Sequence, residues 1–176
     1  LEDEFRAAPG VTAVRVSNVP ILAGRNRQRD VAVQGFKAGP DTDSGSRYNR
    51  VGPGYFSALG IRLIAGREFT DADTVNSAKV ALVNRTFATK FGLGNDAVGK
   101  LMGWAPGGGY RSTLDTTMVG VVEDAKYSDV KQKVPPQFFV PYRQEEGLGG
   151  MQVYVRTSGE MAQAASAITA VVKRLD

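Results

Sequence analysis

The chain has 176 residues, 22 basic against 18 acidic side chains for a net charge of +4, 42% apolar residues, and neither cysteine nor histidine. A globular chain of about 150 residues already buries roughly 70% of the surface that its unfolded form exposes. A hydrophobic core is therefore within reach, while disulfide scaffolds, thiolate metal centres, Cys nucleophiles and imidazole acid–base catalysis are excluded.

In chain order, the first eight residues form a helix that ends at Pro9-Gly10, because proline cannot continue it and glycine accepts the left-handed cap. Val11 to Val19, closed by Pro20, reads as a strand, residues 23–30 as a polar turn, and Val31 to Phe36 as a second strand. Gly39 to Ser46 is a loop, and Arg47 to Val51 a third strand. At residue 52 the texture changes. Pro53 and the apolar Tyr55, Phe56 and Leu59 predict a short helix stopped by Gly60. Thr70-Asp71-Ala72-Asp73 supplies turn oxygens, and Val80 to Val83 is a buried strand. Asn84 caps a helix with Phe87 and Phe91 on one face and Gly92 at its end.

Residues 104–110, with Pro106 and three consecutive glycines, read as an exposed loop. Thr117 to Val122 and Gln137 to Tyr142 are strands, Pro141 confining the latter's end to an edge or bulge. Met151 to Thr157 alternates as a strand with one buried face. Ser158 then caps a final helix. Met161, Ala164, Ala165, Ile168, Val171, Val172 and Leu175 recur there at helical spacing, and Lys173 and Arg174 sit where the dipole favours cations. Strands interleaved with few helices and no internal repeat place the chain in the α+β class.

Few constellations can carry chemistry. The glycines at 107–109 lack the Lys-Ser/Thr ending of a phosphate loop, and Gly92, Gly94 and Gly99 miss the dinucleotide spacing. Asp41 with Asp43, and Asp71 with Asp73, are solvated turns rather than calcium loops, since no bidentate glutamate follows. Glu123 and Asp124 are adjacent and would point to opposite faces of a strand. Asn84-Arg85-Thr86 matches a glycosylation sequon but is better accounted for as a cap. Tyr55, Phe56, Phe87, Phe91, Phe138 and Phe139 are core aromatics. Trp104 stands apart beside the glycine loop and is expected at a contact surface. No cofactor or metal is expected, and the dispersed basic residues do not form a nucleic-acid footprint. No apolar run reaches the ~20 residues that cross a bilayer. The start at Leu1 is read as that of an excised or processed piece.

Five segments follow one another between residues 51 and 142: VGPGYFSALGIRLIAGREFTDADT, VALVNRTFATKFG, DAVGKLM, MVGVVEDAKY and PPQFFVPY. With the early PGV at 9–11 and the closing MQVYVRTSG, they resemble the periplasmic core domain of MacB/FtsX-type ABC transporter permeases, in particular the duplicated orphan permeases of acidobacteria. The resemblance implies a segment held outside the cytoplasmic membrane between two membrane helices of its parent chain. It implies a porter-like lobe from residues 1–52 and 137–176 and an inserted, Sabre-like lobe from 53–136. It further implies no catalytic residues, an ATPase on the cytoplasmic side, and a homodimeric parent permease. The partner outside the membrane would be a periplasmic adaptor or a cell-wall enzyme, and the work mechanotransmission. Within that reading Trp104, Gly107, Gly108, Gly109 and Tyr110 are the candidate partner contact, while Gly54, Tyr55, Phe56, Gly66, Arg67 and Asn84 are architectural. Two other readings are an extracytoplasmic sensor that captures a ligand between lobes and a carboxylate-based hydrolase. The latter requires two carboxylates converging within about 5 to 9.5 Å.

Overall fold

The computed structural model describes residues 2–20, 27–39, 41–104, 113–125, 133–145, 147, 149–158 and 161–175. Among the described residues four α-helices, α1 (Glu2–Arg6), α2 (Tyr55–Ala58), α3 (Arg85–Lys90) and α4 (Met161–Leu175), and one 3-10 turn at Tyr142–Gln144 accompany nine strands. The strands are β1 (Val11–Ser17), β2 (Gln28–Val33), β3 (Gly45–Val51), β4 (Leu63–Gly66), β5 (Val80–Asn84), β6 (Leu101–Trp104), β7 (Thr116–Val122), β8 (Gln137–Pro141) and β9 (Gln152–Thr157). This is the sheet-rich α+β architecture expected. None of the helices is long and apolar enough to cross a membrane among the described residues.

Six strands close on themselves. The hydrogen-bonded order β2-β6-β7-β5-β8-β3 returns to its start because β2 also pairs with β3. The two neighbours use opposite edges of β2: Val31 N–H donates to Ser44 O at 3.0 Å on one side, and Gln34 N–H to Leu101 O at 2.9 Å on the other. The strand directions implied by these pairs put the starts of β2, β5 and β7 and the ends of β3, β6 and β8 at one mouth. Alternation then sends every second side chain inward. Val31, Val33, Tyr48, Ala81, Val83, Met102, Met118, Phe138 and Val140 form one buried cluster, with Phe87 of α3 and Phe91 at its C-cap inserted at the far end. Phe91 meets Phe36 edge to face at 4.9 Å there, so α3 is a plug.

On the outer face, Val80 and Leu82 of β5, Val122 of β7 and Phe139 of β8 form a second cluster with Val51 of β3 and Phe69, covered by Tyr55 and Phe56 of α2. Beyond β3 the sheet continues through β1 to β9. There Phe5 of α1, Ala8 just after it, Val14 of β1 and Val171 of α4 form a third cluster that joins the two ends of the chain.

Several expectations shift. The second strand begins at Gln28 rather than Val31, since polar Gln28 to Asp30 pair with Arg47 to Gly45 at the ring's rim, where water is near. Strands β4 and β6 were not expected. Each is four residues long, too short for a period to show. Of the 104–110 loop, Trp104 ends β6 and residues 105–110 lie outside the described residues. Residues 1–52 with 137–176, and residues 53–136, each contribute three strands to the ring, and the β2–β6 and β5–β8 ladders join the two sets.

Two local devices hold this arrangement. Asn84, 2% exposed, accepts from Phe87 N and from Gln137 N, each at 2.9 Å, and donates to Pro135 O at 2.9 Å. It thereby caps α3 and sews β5 to the start of β8. Gly66 has φ +76°, and a Cβ there would stand 2.1 Å from the Val119 carbonyl oxygen, whereas Gly60 at φ +69° faces open space.

Asn84→Ala is expected to cost roughly 3 kcal/mol, a lost cap plus an unsatisfied buried strand N–H, read as a lower urea midpoint. Gly60→Ala should cost about 1–2 kcal/mol from the left-handed backbone alone. Gly66→Ala should exceed it clearly, because backbone cannot move aside; equal losses would refute the close approach.

Candidate functional site

Acidic side chains are the only groups left that can act as acid or base near neutrality, and most are committed elsewhere. Glu123 accepts from Arg62 and, at 2.7 Å, from Arg85. Asp124 turns away and binds the Thr86 N–H at 3.0 Å and its hydroxyl at 2.8 Å. Asp43 pairs with Lys90 at 2.8 Å and accepts from Gly45 N. The Lys90 ammonium and that N–H hold its carboxyl below the ordinary range. Among the described residues no three Asp or Glu side chains gather to hold a metal ion.

Asp73 shows what these acids do. Its two oxygens accept from both ends of the Arg67 guanidinium at 2.9 Å, and Oδ2 also accepts from Thr70 N at 2.7 Å. Burial acts to raise its pKa, but Arg67 and the Thr70 N–H outweigh burial and hold it below the ordinary value. The pair fixes the turn after β4. Arg67 and Asn84, expected to be architectural, are so engaged.

Two places remain where the chain's chemistry is concentrated. The first is the junction of the chain ends. Glu2 of α1, 5% exposed, accepts from the Tyr142 hydroxyl and from Arg143 Nη2, both at 3.0 Å. Arg143 also pairs with Asp71 at 2.9 Å. The neighbouring Tyr142 oxygen and Glu2 raise the pKa of Arg143, and burial raises that of Tyr142. Arg174 of α4 pairs with Glu4 of α1. Helix α1 is thus tied to the turn after β8, to the turn after β4, and to α4.

The second place is the ring's open mouth, a cavity of about 810 Å³ lined by residues that include Arg29, Tyr48, Arg50, Lys79, Trp104 and Glu145. Trp104 was expected at an exposed surface because no apolar pattern surrounds it in sequence. Its ring is half buried, 5.0 Å from Phe138, since the apolar neighbours come from β8 across the ring. One edge still faces the cavity. Of the other candidate contacts, Gly107, Gly108, Gly109 and Tyr110 lie outside the described residues. Arg29, Tyr48 and Arg50 were not singled out, because only ring closure brings them beside Trp104. The sequence does set Arg25, Arg27 and Arg29 within five residues, and that spacing was the one available signal.

The stability that Asp73 contributes is full above about pH 4, the unfolded carboxylate value. It is lost as pH falls through the lower folded value. Asp73→Asn is expected to cost about 1–2 kcal/mol at pH 7, the half-exposed Arg67 placing it at the low end. The gap from wild type in thermal melts should narrow below pH 4; a gap constant to pH 2 would refute the assignment.

A family model described as MacB-like periplasmic core domain matches residues 2–171. No curated protein sequence matches the chain. The fold is similar to the periplasmic region of MacB from Actinobacillus actinomycetemcomitans, with a TM-score of 0.69 at 16% identity over 99% of this chain and 72% of that one. It is also similar to the extracellular domain of the noncanonic ABC-type transporter YknZ from Gram-positive bacteria, with a TM-score of 0.61 at 17% identity over 94% and 75%. A domain of a permease protein from Porphyromonas gingivalis gives 0.61 at 18% identity over 97% and 73%. With the ordered motifs between residues 51 and 142, the match places this chain in the family of MacB-like periplasmic core domains, the non-catalytic, extracytoplasmic part of ABC transporter permeases.

Proposed function

We propose that this domain is a force relay: movement of the parent permease's membrane helices enters through the two chain ends and is delivered to a partner outside the membrane. The observation that carries the reading is the buried Glu2 node. A carboxylate on the first helix is held by Tyr142 and Arg143 at the end of ring strand β8, and Arg143 reaches on to Asp71. Packing of Val171 of α4 with Phe5 and Val14 makes the second chain end part of the same block. Packed interiors do not deform continuously, so a displacement applied at the ends moves the ring as a body.

In this reading residues 53–136 act as the inserted lobe, joined stiffly to the outer segments by the β2–β6 and β5–β8 ladders. The rim that carries Trp104 faces the partner, an adaptor or a cell-wall enzyme; the contact residues expected with it, Gly107, Gly108, Gly109 and Tyr110, lie outside the described residues. The drive is hydrolysis by an ATPase on the cytoplasmic side of a homodimeric permease.

Glu2→Gln keeps the shape of the node but removes its charge. In the full-length permease, distances between spin labels on paired external domains should change with ATP hydrolysis, and Glu2→Gln should shrink that change by half or more. Distances indifferent to ATP would sink the relay. A full response in the variant would sink the role of the node.

A further inference from the structure

The relay makes no use of the chemistry inside the ring's mouth. Tyr48, 4% exposed, lies nearly parallel to Phe138 on the floor, ring centroids 5.5 Å apart. Two guanidinium groups share its ring: Arg29 Cζ at 5.4 Å and Arg50 Cζ at 5.9 Å from the centroid. Among the described residues only one carboxylate answers them, Glu145, at 2.7 Å from Arg50 Nη2. Arg50 Nη1 donates to Gly147 O, and Arg29 Nη1 to Gln28 O. The Arg50 Nε–H is buried without an acceptor. Lys79 is already paired with Asp115 at 2.7 Å. Among the described residues the lining therefore carries three cations, Arg29, Arg50 and Lys79, against two carboxylates, Asp115 and Glu145.

Like charges crowded beside one ring in a partly desolvated cup repel, and a buried guanidinium donor left unmade is costly. We propose that this mouth binds a monovalent organic carboxylate bearing an apolar or aromatic group. The carboxylate sits between Arg29 and Arg50, where planar forks match its two oxygens. Its apolar group rests on the exposed edge of Trp104 and on Val80 and Val140, which line the same cavity. One negative charge balances the lining, whereas a dianion would overshoot it. A volume of about 810 Å³ is that of a pocket for an organic ligand rather than a bare ion, and barrel mouths are a common place for one. The C-terminal residue of a peptide and a free aromatic acid both present this chemistry. The inference is independent of the relay and stands or falls on its own measurement.

Trp104 is the only tryptophan among the 176 residues, so its emission reports on the mouth directly. The chain is titrated with 4-phenylbutyrate, 4-phenylbutyramide, N-acetyl-glycyl-phenylalanine, the amide of that dipeptide, and inorganic phosphate, with calorimetry in parallel. At least one acid should bind saturably and at least tenfold more tightly than its amide, and whichever acid binds more tightly names the source. Arg29→Gln should weaken that acid tenfold or more, while Glu145→Gln, which releases Arg50, should tighten it several-fold. Should Arg29→Gln alter the emission maximum of the free chain, the acid–amide ratio and Glu145→Gln decide. Equal binding of acid and amide, phosphate competing as well as either acid, or no saturable binding by both methods would overturn the proposal.

Discussion

Strand β2 carries the architecture, because it bonds on both edges. Its odd-numbered residues turn their backbone groups to β3 and its even-numbered ones to β6, so a sheet that would otherwise have a free edge there closes into a ring. An unpaired edge would be open to other chains, and here the chain's own next strand covers it. Closure also decides which side chains are enclosed. Tyr48, Met102, Met118 and Phe138 come from strands far apart in sequence and share one interior. Because α3 fills one end of that interior with Phe87 and Phe91, the opposite end is where Arg29, Arg50 and Trp104 are left around a cavity.

The ring and the junction of the chain ends are joined by β3 and β8, which run side by side from Arg47↔Gln137 to Val51↔Pro141. Val51 also meets Ser17 of β1. Asn49, fully buried on β3, accepts from Val19 N at 2.9 Å and donates to Val19 O at 3.2 Å, so the backbone after β1 is bonded to the ring by a side chain. Arg15 of β1 donates to Gly54 O at 2.8 Å just before α2. These are short, direct links. In the proposed relay they give a displacement at α1 or α4 a stiff route to the mouth.

Some of this was legible from residue chemistry alone. Asn84 before an apolar, four-spaced Phe87 and Phe91 specifies a capped helix, since the cap uses only local backbone, and the structure shows that cap. Asp71 is exposed, as expected of a turn acid, but Asp73, expected to be solvated as well, is buried and held by Arg67 and the Thr70 N–H. Trp104 is half buried although its neighbours in sequence are glycine and alanine, because its neighbour in space is Phe138, thirty-four residues on. Strands β4 and β6 were missed because four residues hold too few alternations to show a period. Glu2 gave no signal at all: an acid in the first turn of a helix is ordinarily solvated, and only Tyr142 and Arg143 reveal that this one is buried.

The amino-acid order by itself determined the α+β class, the Asn84 cap, most strands and the family, because each rests on local spacing or on a linear series of motifs. Tertiary structure alone decided the closure of the ring, the burial of Glu2 and the meeting of Arg29 with Arg50 over Tyr48. The physical reason is that backbone ladders join residues by hydrogen bonds that every amino acid except proline offers alike. Which strand edge meets which is settled by packing of the whole chain, and leaves no mark on any single segment.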